Sequence, residues 1–403
     1  MAQLEVITLN CWGLKYISKL TTERIQHIAE ELAHSQCDVV CLQEIWQWEH
    51  WEHIRNRLED RLPHAKYYWS GVMGSGLAIL SKFPIVQTDM RPYTLNGRPQ
   101  AFFRGDWYVG KGIASAIIAL PDGRQCQVFN THMHAPYNEA IDTYLCHRTA
   151  QGWDMRKILL ASVQAGYITF ATGDFNSIPG SLVHRFLTTY LSDSFVTLHP
   201  ELPLVPRDIV SMNAWDLVEK YGVTCDVSPL NTWRAQQAPG MEPKRLDYMF
   251  HDDRAVPKVV EVVFTGLVRN VNCSPSDHFG LRCVFSLQPQ STKKTNRKLH
   301  LEDYDEIRKM LDWYRTREQT HSFRRIIHFW FSLGCIVVIL SLMMQQRRPF
   351  AQVLLGLLLL LSGIAAVLQG LLGAIFGWWE LRNLQEFEDE IIRAQKLHEV
   401  SGT

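Results

Sequence analysis

The stretch Tyr167-Ile-Thr-Phe-Ala-Thr-Gly-Asp-Phe-Asn-Ser-Ile-Pro179 decides the fold of this chain. Its first six residues are apolar, aromatic or β-branched, and Gly173 follows them directly, a pattern that predicts a buried strand and its end. Asp174 and Asn176 come immediately after that end. A sheet can hold strand-end side chains rigidly enough for them to act together. We therefore predict a buried strand that delivers two polar groups to one edge of a sheet.

Outward from this stretch, residues 1–287 alternate short β-rich runs with helical stretches. The predicted strands are residues 4–9, 39–42, 77–80, 113–120, 126–131, 167–172, 246–250, 259–264 and 281–285. The predicted helices are residues 22–35, 140–165 and 182–189. Several strands follow one another without a helix, which disfavours a plain doubly wound parallel sheet. The pattern favours an α+β fold: a four-layer sandwich of two packed mixed β-sheets with outer helices. Residues 193–240 are expected to form a loop-rich insertion.

Charge and cysteine usage narrow the class of protein. The chain has 41 Lys and Arg residues against 41 Asp and Glu residues, so the strongly basic signature of a nucleic-acid-binding protein is missing. The nine cysteines are scattered without a C-x-x-C pair, which indicates neither a zinc site nor a disulfide framework. The N-terminus lacks the basic and apolar regions of a signal peptide. We therefore expect reduced thiols in a cytosol-facing domain and no nucleic-acid partner.

Two apolar runs near the C-terminus, residues 326–344 and 350–379, contain no Asp, Glu, Lys or Arg. Each run is long enough to cross a hydrocarbon core of about 30 Å. Only Gln345-Gln346-Arg347-Arg348-Pro349 separates them, so we expect a transmembrane hairpin. More Lys and Arg residues flank the hairpin than occupy its turn, which predicts that both termini and the first domain are cytoplasmic. The expected location is an endomembrane such as the endoplasmic reticulum.

The sequence divides into four segments. Residues 1–287 form the strand-rich domain, and residues 288–325 form a basic linker with a juxtamembrane amphipathic helix. Residues 326–379 form the hairpin, and residues 380–403 form a second amphipathic helix with apolar residues at helical spacing. The two amphipathic helices are expected to pack together, to lie on the membrane surface or to form a homodimer interface. The sequence does not choose among these three arrangements.

Polar residues stand at the ends of the other predicted strands as well. They are Asn10, Glu44, His132, Asp247, Asp277 and His278. Carboxylate and amide oxygens are the hard ligands that Mg²⁺ prefers. Histidines with a carboxylate supply acid–base chemistry near neutral pH, and a positioned Asn donates to a phosphoryl oxygen that gains charge. No Ser, Cys or Thr stands in a nucleophile motif, so the set predicts hydrolysis of a phosphate ester by activated water.

Taken in order, the strand-end motifs resemble the endonuclease/exonuclease/phosphatase superfamily. These motifs are Asn10-Cys-Trp-Gly13, Gln43-Glu-Ile-Trp46, Thr131-His-Met-His-Ala135, Gly173-Asp-Phe-Asn-Ser-Ile-Pro179, Arg245-Leu-Asp-Tyr248 and Ser276-Asp-His278. The resemblance covers essentially all of residues 1–287. Within the superfamily the sequence is similar to neutral sphingomyelinases and fungal inositol phosphosphingolipid phospholipases C. The first and third motifs, residues 93–112 and the C-terminal two-helix anchor carry that likeness.

The segment Gly105-Asp-Trp-Tyr-Val-Gly-Lys-Gly112 has two interpretations. A nucleotide-binding P-loop requires Ser or Thr after its Lys and leads from a strand into a helix. Here Gly112 follows Lys111, and residues 113–120 are a predicted strand, so nucleotide binding is disfavoured. The family resemblance implies instead a flexible loop in which Asp106 and Lys111 pair with each other or with the substrate phosphate and switch the site on.

The resemblance implies a metal site and a lipid substrate. Mg²⁺, with Mn²⁺ as the alternative, is expected on Glu44, helped by Asn10 and completed by Asp277. The expected substrate is sphingomyelin or a related phosphosphingolipid in the bilayer, cleaved to ceramide and a phosphorylated head group. Anionic phospholipid is the expected activator, because the hairpin is preceded by a basic stretch around Lys293, Lys294, Arg297 and Lys298.

Catalytic roles are also carried over by the resemblance. His278, oriented by Asp247, is expected to take a proton from the attacking water. Asp174 is expected to position that water, and Asn176 to hold a non-bridging phosphate oxygen. His132 is expected to stabilise or protonate the leaving group. The general base and its orienting carboxylate follow the usual logic of positioned acid–base catalysis.

Three alternatives remain open from the sequence. A nuclease and an inositol polyphosphate phosphatase share the superfamily's motifs, although the neutral charge and the anchor disfavour the first. No basic residue after Gly-Asp-Phe-Asn is placed to hold further phosphates, which disfavours the second. A non-catalytic membrane scaffold is disfavoured because every motif is present. Trp46, Trp48 and Trp51 are expected either to be partly buried on a helix or to form a membrane-facing or choline-binding face.

Overall fold

The computed structural model describes residues 2–137, 141–227, 229–233, 242–289 and 297–401. The chain divides into two units. The first, which we name the sheet unit, comprises Met1–Gly97 and Phe103–Leu299, and the second, the helical unit, comprises Arg98–Phe102 and His300–Thr403. Most of the predicted basic linker, including Lys293 and Lys294, lies outside the described residues.

The first sheet of the sheet unit has six strands. They are β1 (Gln3–Asn10), β2 (Val39–Gln43), β3 (His64–Tyr68), β4 (Leu77–Ser81), β11 (Ala255–Val263) and β12 (Gly280–Leu287). Their order across the sheet is β11-β12-β1-β2-β4-β3. β1 and β2 run parallel, with Asn10 opposite Gln43, and the other neighbours run antiparallel. The carboxyl ends of β1 and β2 therefore lie at one edge of this sheet.

The second sheet also has six strands. They are β5 (Ile85–Pro92), β6 (Gly112–Ala119), β7 (Gln125–His132), β8 (Ile168–Asp174), β9 (Ser192–Asp193) and β10 (Asp247–His251), in the order β5-β6-β7-β8-β10-β9. β7 and β8 run parallel, with His132 opposite Asp174. β10 runs antiparallel to β8, so that its first residue, Asp247, also lies opposite Asp174. Three polar strand-end residues are thereby brought to one edge.

A shared apolar core holds the two sheets face to face. Val6 and Cys41 from the first sheet and Ala116, Val128 and Phe170 from the second belong to one buried cluster. Side chains alternate between the two faces of a strand, so each sheet delivers every second residue to this layer. Burying each large apolar side chain of this kind stabilises the fold by about 1.5–3 kcal/mol.

Helices cover the outer faces of both sheets. α1 (Thr21–His34) and α2 (Trp48–Leu58) bury Ile28 and Ile54 with the outer residues of the first sheet. α4 (Leu145–Gln164) and α5 (Leu182–Leu187) bury Met155 and Val183 with those of the second. α3 (Asp106–Val109), α6 (Ser194–Leu198) and α7 (Ala214–Tyr221) are short. The predicted sandwich of two mixed sheets with outer helices is confirmed.

Three strands and most of the short helices were not predicted from the sequence. The missed strand β5 is largely exposed and carries polar residues, because it lies at the edge of its sheet and buries little. The interpretation of residues 193–240 as a loop-rich insertion was wrong in part. That span contains α6 and α7, and its residues 224–226 lie beside the candidate site described below.

The helical unit contains three long helices. They are α8 (Leu301–Gln345), α9 (Pro349–Gly370) and α10 (Gly377–Ser401), the last two joined by a π-helical stretch, Leu371–Phe376. Two helices, Leu301–Gln345 and Pro349–Val400, are long and apolar enough to cross a membrane, and the most apolar window of each is only 6% buried. An apolar surface that the protein leaves uncovered is what a bilayer solvates. The two predicted runs lie within these two helices.

The amphipathic ends of α8 and α10 pack against each other within one chain. Ile307 and Leu311 of α8 and Leu384 and Ile391 of α10 are all fully buried. Tyr314 of α8 donates a hydrogen bond to Glu380 of α10 at 2.6 Å. Of the three arrangements that the sequence left open, packing within one chain is present here, and a homodimer through these helices stays a prediction.

Candidate active site

Strand ends of both sheets converge on one edge of the sheet unit. Asn10 ends β1 and sits between two carboxylates: its Nδ2 lies 3.1 Å from Glu44 Oε1 and 3.1 Å from Asp174 Oδ2. Its Oδ1 accepts a hydrogen bond from the backbone N–H of Trp12 at 3.0 Å, which fixes the amide. Asn10 therefore links an acidic residue of the first sheet to one of the second.

A second group is formed by Asp174, Asp247 and His278. Their nearest ligand atoms all lie within 4.8 Å of one another, and all three residues are buried. His278 Nδ1 lies 2.8 Å from Asp247 Oδ2, and Thr224 Oγ1 donates to the same oxygen at 2.6 Å. The other ring nitrogen, Nε2, lies 3.9 Å from Asp174 Oδ2. Asp247 thus orients the imidazole and points its second nitrogen toward Asp174.

Burial and like charges perturb the acids at this edge. Burial, and then Asp277, raise the pKa of Glu44 to about 7. Burial raises the pKa of Asp174 to about 6, with Asp247 adding to the effect and His278 opposing it. Burial opposes the charged form of His278, but Cys225, Asp247 and Asp174 raise its pKa well above the usual value. Burial acts on all three groups, and the neighbouring acids add to its effect on Glu44 and Asp174 and outweigh it at His278.

Lys111 brings a positive charge to the same edge. Its Nζ lies 2.9 Å from Asp106 Oδ1, 3.0 Å from His132 Nε2 and 2.8 Å from the backbone oxygen of Met133, and both members of the Lys–Asp pair are buried. His132 Nε2 lies 3.5 Å from Asp174 Oδ2. The two loop residues singled out in the sequence are therefore in direct contact with each other, and Lys111 touches a strand-end histidine.

Charges around this pair also set the ionisation of its neighbours. Burial, followed by Lys111, lowers the pKa of His132 well below its usual value, so the ring is neutral near neutral pH. Burial opposes ionisation of Asp106, but Lys111, His134 and Tyr137 outweigh it and lower the pKa of Asp106 to about 2. The hydroxyl of Tyr137 donates directly to Asp106. A neutral His132 accepts a hydrogen bond from a cationic Lys111.

Local backbone geometry explains why these residues stand where they do. Gly173 has φ +128°, and a Cβ there would lie 2.0 Å from the backbone oxygen of Thr131, so only glycine lets β7 and β8 approach beside Asp174. Glu44 and Asn176 adopt the left-handed region at φ 58° and φ 46°, which non-glycine residues rarely occupy. Such strain persists only where the surrounding structure fixes it. Asn176 Nδ2 is thereby held 3.0 Å from the backbone oxygen of Met133.

Several residues at this edge were missed by sequence reasoning. Thr224, which binds Asp247, lies in the span interpreted as an insertion, and no motif distinguished it. Arg24 of α1 is fully buried and donates to the backbone oxygens of Cys11, Trp12 and Pro275. It therefore ties the loop after Asn10 to the loop before His278. Tyr137 had a signal, because it lies two residues after the third motif.

The donors at this edge fit a hard divalent cation. The acids are Glu44, Asp174, Asp247 and Asp277, whose carboxylate oxygens are hard ligands. Asp247 Oδ1 is buried without a hydrogen-bond partner in the described part of the chain. The sequence assigned the metal to Glu44, Asn10 and Asp277, whereas the structure brings Asp174, Asp247 and His278 closest together. The predicted ligand assignment stays a prediction.

The sheet unit also has a surface groove away from these residues. It has a volume of about 1170 Å³ and is lined by α1 and the segment after β11, including Glu23, His27, Phe264 and Arg269. The strand-end acids and histidines do not line this groove.

A cluster of acids with an oriented histidine and a buried lysine defines a class of protein: hydrolases that activate water against a phosphate ester. The chain belongs to the endonuclease/exonuclease/phosphatase family, whose family model matches residues 7–278. That match ends at His278 and contains all the strand-end residues described above.

Similarity to characterised proteins extends beyond the family match. The chain is 40% identical to inositol phosphosphingolipids phospholipase C of Schizosaccharomyces pombe, over 98% of this chain and 95% of that protein. It is 34% identical to sphingomyelin phosphodiesterase 2 of Mus musculus, over 69% of this chain and 64% of that protein. A crystal structure of beta toxin from Staphylococcus aureus aligns with a TM-score of 0.52 at 17% identity, covering 70% of this chain and 99% of that one. The last likeness shows the fold alone.

Proposed function

We propose that this chain is a phosphodiesterase of the phospholipase C type that cleaves a phosphosphingolipid into ceramide and a phosphorylated head group. The observation that carries the proposal is the edge that joins the Asp247–His278 pair to the Glu44–Asn10–Asp174 bridge. The substrate class is supported by the relative that is 40% identical over 98% of this chain. Two helices long enough to cross a membrane fit a substrate that resides in a bilayer.

The chain's own residues account for the proton transfers. His278, held through Nδ1 by Asp247, takes a proton from water at Nε2, the nitrogen that faces Asp174. Because the neighbouring acids raise the pKa of His278 in the chain alone, a cation bound beside them would be needed to leave Nε2 unprotonated near neutral pH. That water attacks phosphorus in line, and the bond from phosphorus to the primary alcohol oxygen of ceramide breaks. That oxygen leaves with a negative charge, which His132, hydrogen-bonded to Lys111, stabilises until the oxygen takes up a proton from water to give the alcohol of ceramide. The side-chain amide of Asn176, whose Nδ2 lies 3.4 Å from Asp174 Oδ2, is placed to donate to a non-bridging oxygen.

A divalent cation completes this chemistry. Mg²⁺, or Mn²⁺ in its place, would be held by Glu44 with Asn10 and Asp277, and when bound it polarises the phosphodiester. Such a charge would offset the burial that raises the pKa of Glu44 to about 7 and that of Asp174 to about 6 in the chain alone. Removal of divalent cations is therefore expected to abolish hydrolysis, and Mg²⁺ to restore it.

A head-group release assay tests the proposal on the full chain reconstituted in liposomes. Inositol phosphoceramide and sphingomyelin with matched ceramide tails are compared, each with chelator, Mg²⁺ or Mn²⁺. We expect faster release of phosphoinositol than of phosphocholine. The inositol phosphosphingolipids phospholipase C of Schizosaccharomyces pombe is similar over 98% of this chain, whereas sphingomyelin phosphodiesterase 2 of Mus musculus is similar over 69%. Cleavage of neither lipid, together with hydrolysis of single-stranded DNA or a soluble inositol polyphosphate, would overturn the proposal.

We also propose a membrane setting for this reaction. Both termini and the sheet unit lie on the cytoplasmic side of an endomembrane, supported by the Lys and Arg residues that flank the hairpin. Exposed Arg324 and Arg382, which lie on the two cytoplasmic flanks of the hairpin, favour anionic phospholipid as an activator, and each basic residue near the surface contributes about 1 kcal/mol. Phosphatidylserine should therefore stimulate the reconstituted protein, and added salt should weaken the stimulation. Equal rates with and without phosphatidylserine would exclude it as an activator.

A further inference from the structure

Four large apolar side chains are exposed together at the catalytic edge of the sheet unit. Trp48, Trp69, Val72 and Met73 have exposed fractions of 42%, 62%, 81% and 61%. We name these four residues the apolar rim. Trp48 begins α2, and the other three lie in the loop between β3 and β4. Single exposed apolar residues are ordinary, but a contiguous group of this kind marks an interaction surface.

The aromatic part of the apolar rim is held rigidly. The ring of Trp48 stacks on that of Trp69 with centroids 5.6 Å apart, and Tyr67 meets Trp69 edge-on at 4.9 Å. The hydroxyl of Tyr67 donates to the backbone oxygen of Ile45 at 2.9 Å. By contrast, Trp51, also on α2, is 2% exposed and belongs to the core. The rim therefore keeps two indole rings ordered while leaving them open to solvent, which favours a partner that covers them.

The apolar rim borders the candidate site on two sides. The backbone N–H groups of Val72 and Met73 both point to the backbone oxygen of Tyr108, at 2.8 Å and 3.2 Å. Gly71 and Gly110 are so close that a Cβ on Gly71 would lie 2.6 Å from the nitrogen of Gly110, the residue before Lys111. On the other side, the N–H of Ile45, which follows Glu44, donates to the backbone oxygen of Gly76 at 3.0 Å. A surface that touches the rim is therefore beside the reacting groups.

A basic loop adjoins the same edge. The backbone N–H of Gly13 donates to the backbone oxygen of Glu44 at 3.0 Å, and residues 14–20 follow it. This loop exposes Lys15 and Lys19, carries no acidic residue, and exposes Tyr16 and Ile17 by 92% and 67%. Lysines interleaved with aromatic and aliphatic side chains match the boundary of a bilayer, where apolar groups enter and cations meet anionic head groups.

We propose that the apolar rim is a bilayer-contact surface of the sheet unit, and that it inserts into the leaflet that holds the substrate. The inference rests on the proposed function for its choice of occupant, because a lipid substrate must reach the edge that the rim borders. Insertion presents the edge between Glu44 and Lys111 to the phosphodiester without lifting the lipid far from the membrane. A second copy of the chain and a soluble choline-like ligand are the competing occupants.

Contact is tested without reference to catalysis. A nitrobenzoxadiazole fluorophore is attached to Val72→Cys in full-length protein carrying Cys335→Ser, because the other native cysteines are buried. The matched control is Val86→Cys, which is 54% exposed and lies at the opposite end of the second sheet, since Ile85 pairs with Ile118 while Pro92 pairs with Gly112. In liposomes containing phosphatidylserine and acyl-brominated lipid, the probe at position 72 should be quenched and the probe at position 86 should not.

Equal fluorescence of the position-72 probe in brominated and unbrominated liposomes would overturn the proposal. Quenching that depends on protein density rather than brominated lipid would assign the rim to a second copy.

Activity gives the second readout. Val72→Ser with Met73→Ser should lower hydrolysis in liposomes by about tenfold, because two exposed apolar side chains no longer enter the bilayer, and should leave hydrolysis of a short-chain soluble phosphosphingolipid unchanged. Val86→Ser should change neither rate. An equal loss on both substrates would show that the substitution damages the site and would contradict a bilayer role. If no phosphosphingolipid is cleaved but the probe is still quenched, the proposed function fails and the contact surface stands.

Discussion

Buried carboxylates are treated differently in the two units. In the helical unit, Glu318 lies 3.2 Å from Arg98 Nε, and Glu380 lies 3.9 Å from the same nitrogen. At the catalytic edge, Glu44 and Asp174 are bridged by the neutral amide of Asn10. Buried acids that share an arginine are partly neutralised within the chain, whereas acids gathered around a neutral amide favour a charge from outside it. The contrast distinguishes a structural cluster from a reactive one.

The largest loss of turnover is expected from substitutions that remove a side chain of the reactive cluster. Glu44→Gln and His278→Ala should each lower turnover of the reconstituted protein at least 10²-fold, the low end for loss of a general base, with little change in thermal stability. Glu44→Gln removes a crowded negative charge and so relieves repulsion. His278→Ala removes the partner of buried Asp247, so the larger of the two small losses of thermal stability should belong to this variant. Head-group release and thermal unfolding are measured for each variant. Glu49→Gln and His53→Ala, both exposed on α2, serve as controls. Near-normal Mg²⁺-dependent turnover by either site variant would contradict the assignment.

A smaller loss of turnover is expected from substitutions in the Asp106–Lys111 ion pair at the same edge. Lys111→Ala should lower turnover about tenfold or more while leaving the Mg²⁺ concentration for half-maximal activity unchanged, because Lys111 contacts His132 and Asp106 rather than the predicted metal ligands. Asp106→Asn should act through the same contact, so the double variant should lose much less than the product of the two single losses. Multiplicative losses in kcat would show that the two residues act separately.

The smallest effect concerns stability against pH. Without a cation, the raised pKa values of Glu44, about 7, and Asp174, about 6, make the folded state bind more protons than the unfolded state. Their contribution therefore favours folding at low pH and is lost as the pH rises through these values. A bound cation requires the ionised acids, so Mg²⁺ should raise the midpoint of thermal unfolding by about 3 °C at pH 8 and by much less at pH 5.5. Glu44→Gln should reduce the shift at pH 8, and an equal shift at both pH values would contradict this account.

The parts of the fold that the sequence predicted are those with continuous apolar runs. β1, β2, β4 and β8 were found because they are buried on both faces and carry little but apolar or β-branched residues. β3 and β5 were missed because edge strands bury less and their composition approaches that of loops. The local pattern of apolar residues reflects how deeply a strand is buried, and central strands are more deeply buried than edge strands.

The site was predictable in its members but not in its connections. Glu44, Asp174 and His278 could be selected from the sequence, because each of them ends or precedes a predicted strand. The bridge made by Asn10 and the hydrogen bond from Thr224 to Asp247 join positions far apart in sequence, and no local pattern reports such contacts. The left-handed backbone of Glu44 is likewise imposed by its surroundings.

The short segment Arg98–Phe102 has a consequence for how this protein can be divided. It belongs to the helical unit, although the chain on both sides of it belongs to the sheet unit. Arg98 Nη2 donates to the hydroxyl of Tyr314 at 2.7 Å. Proteolysis or a stop codon after Leu299 would therefore remove the rest of the helical unit but keep Arg98–Phe102. Arg98 would then lack Glu318 and Glu380, the acids that neutralise it. Because the two units alternate along the chain, truncation in the linker alone is insufficient to give an autonomous hydrolytic fragment. Such a fragment also requires new residues in place of Arg98–Phe102.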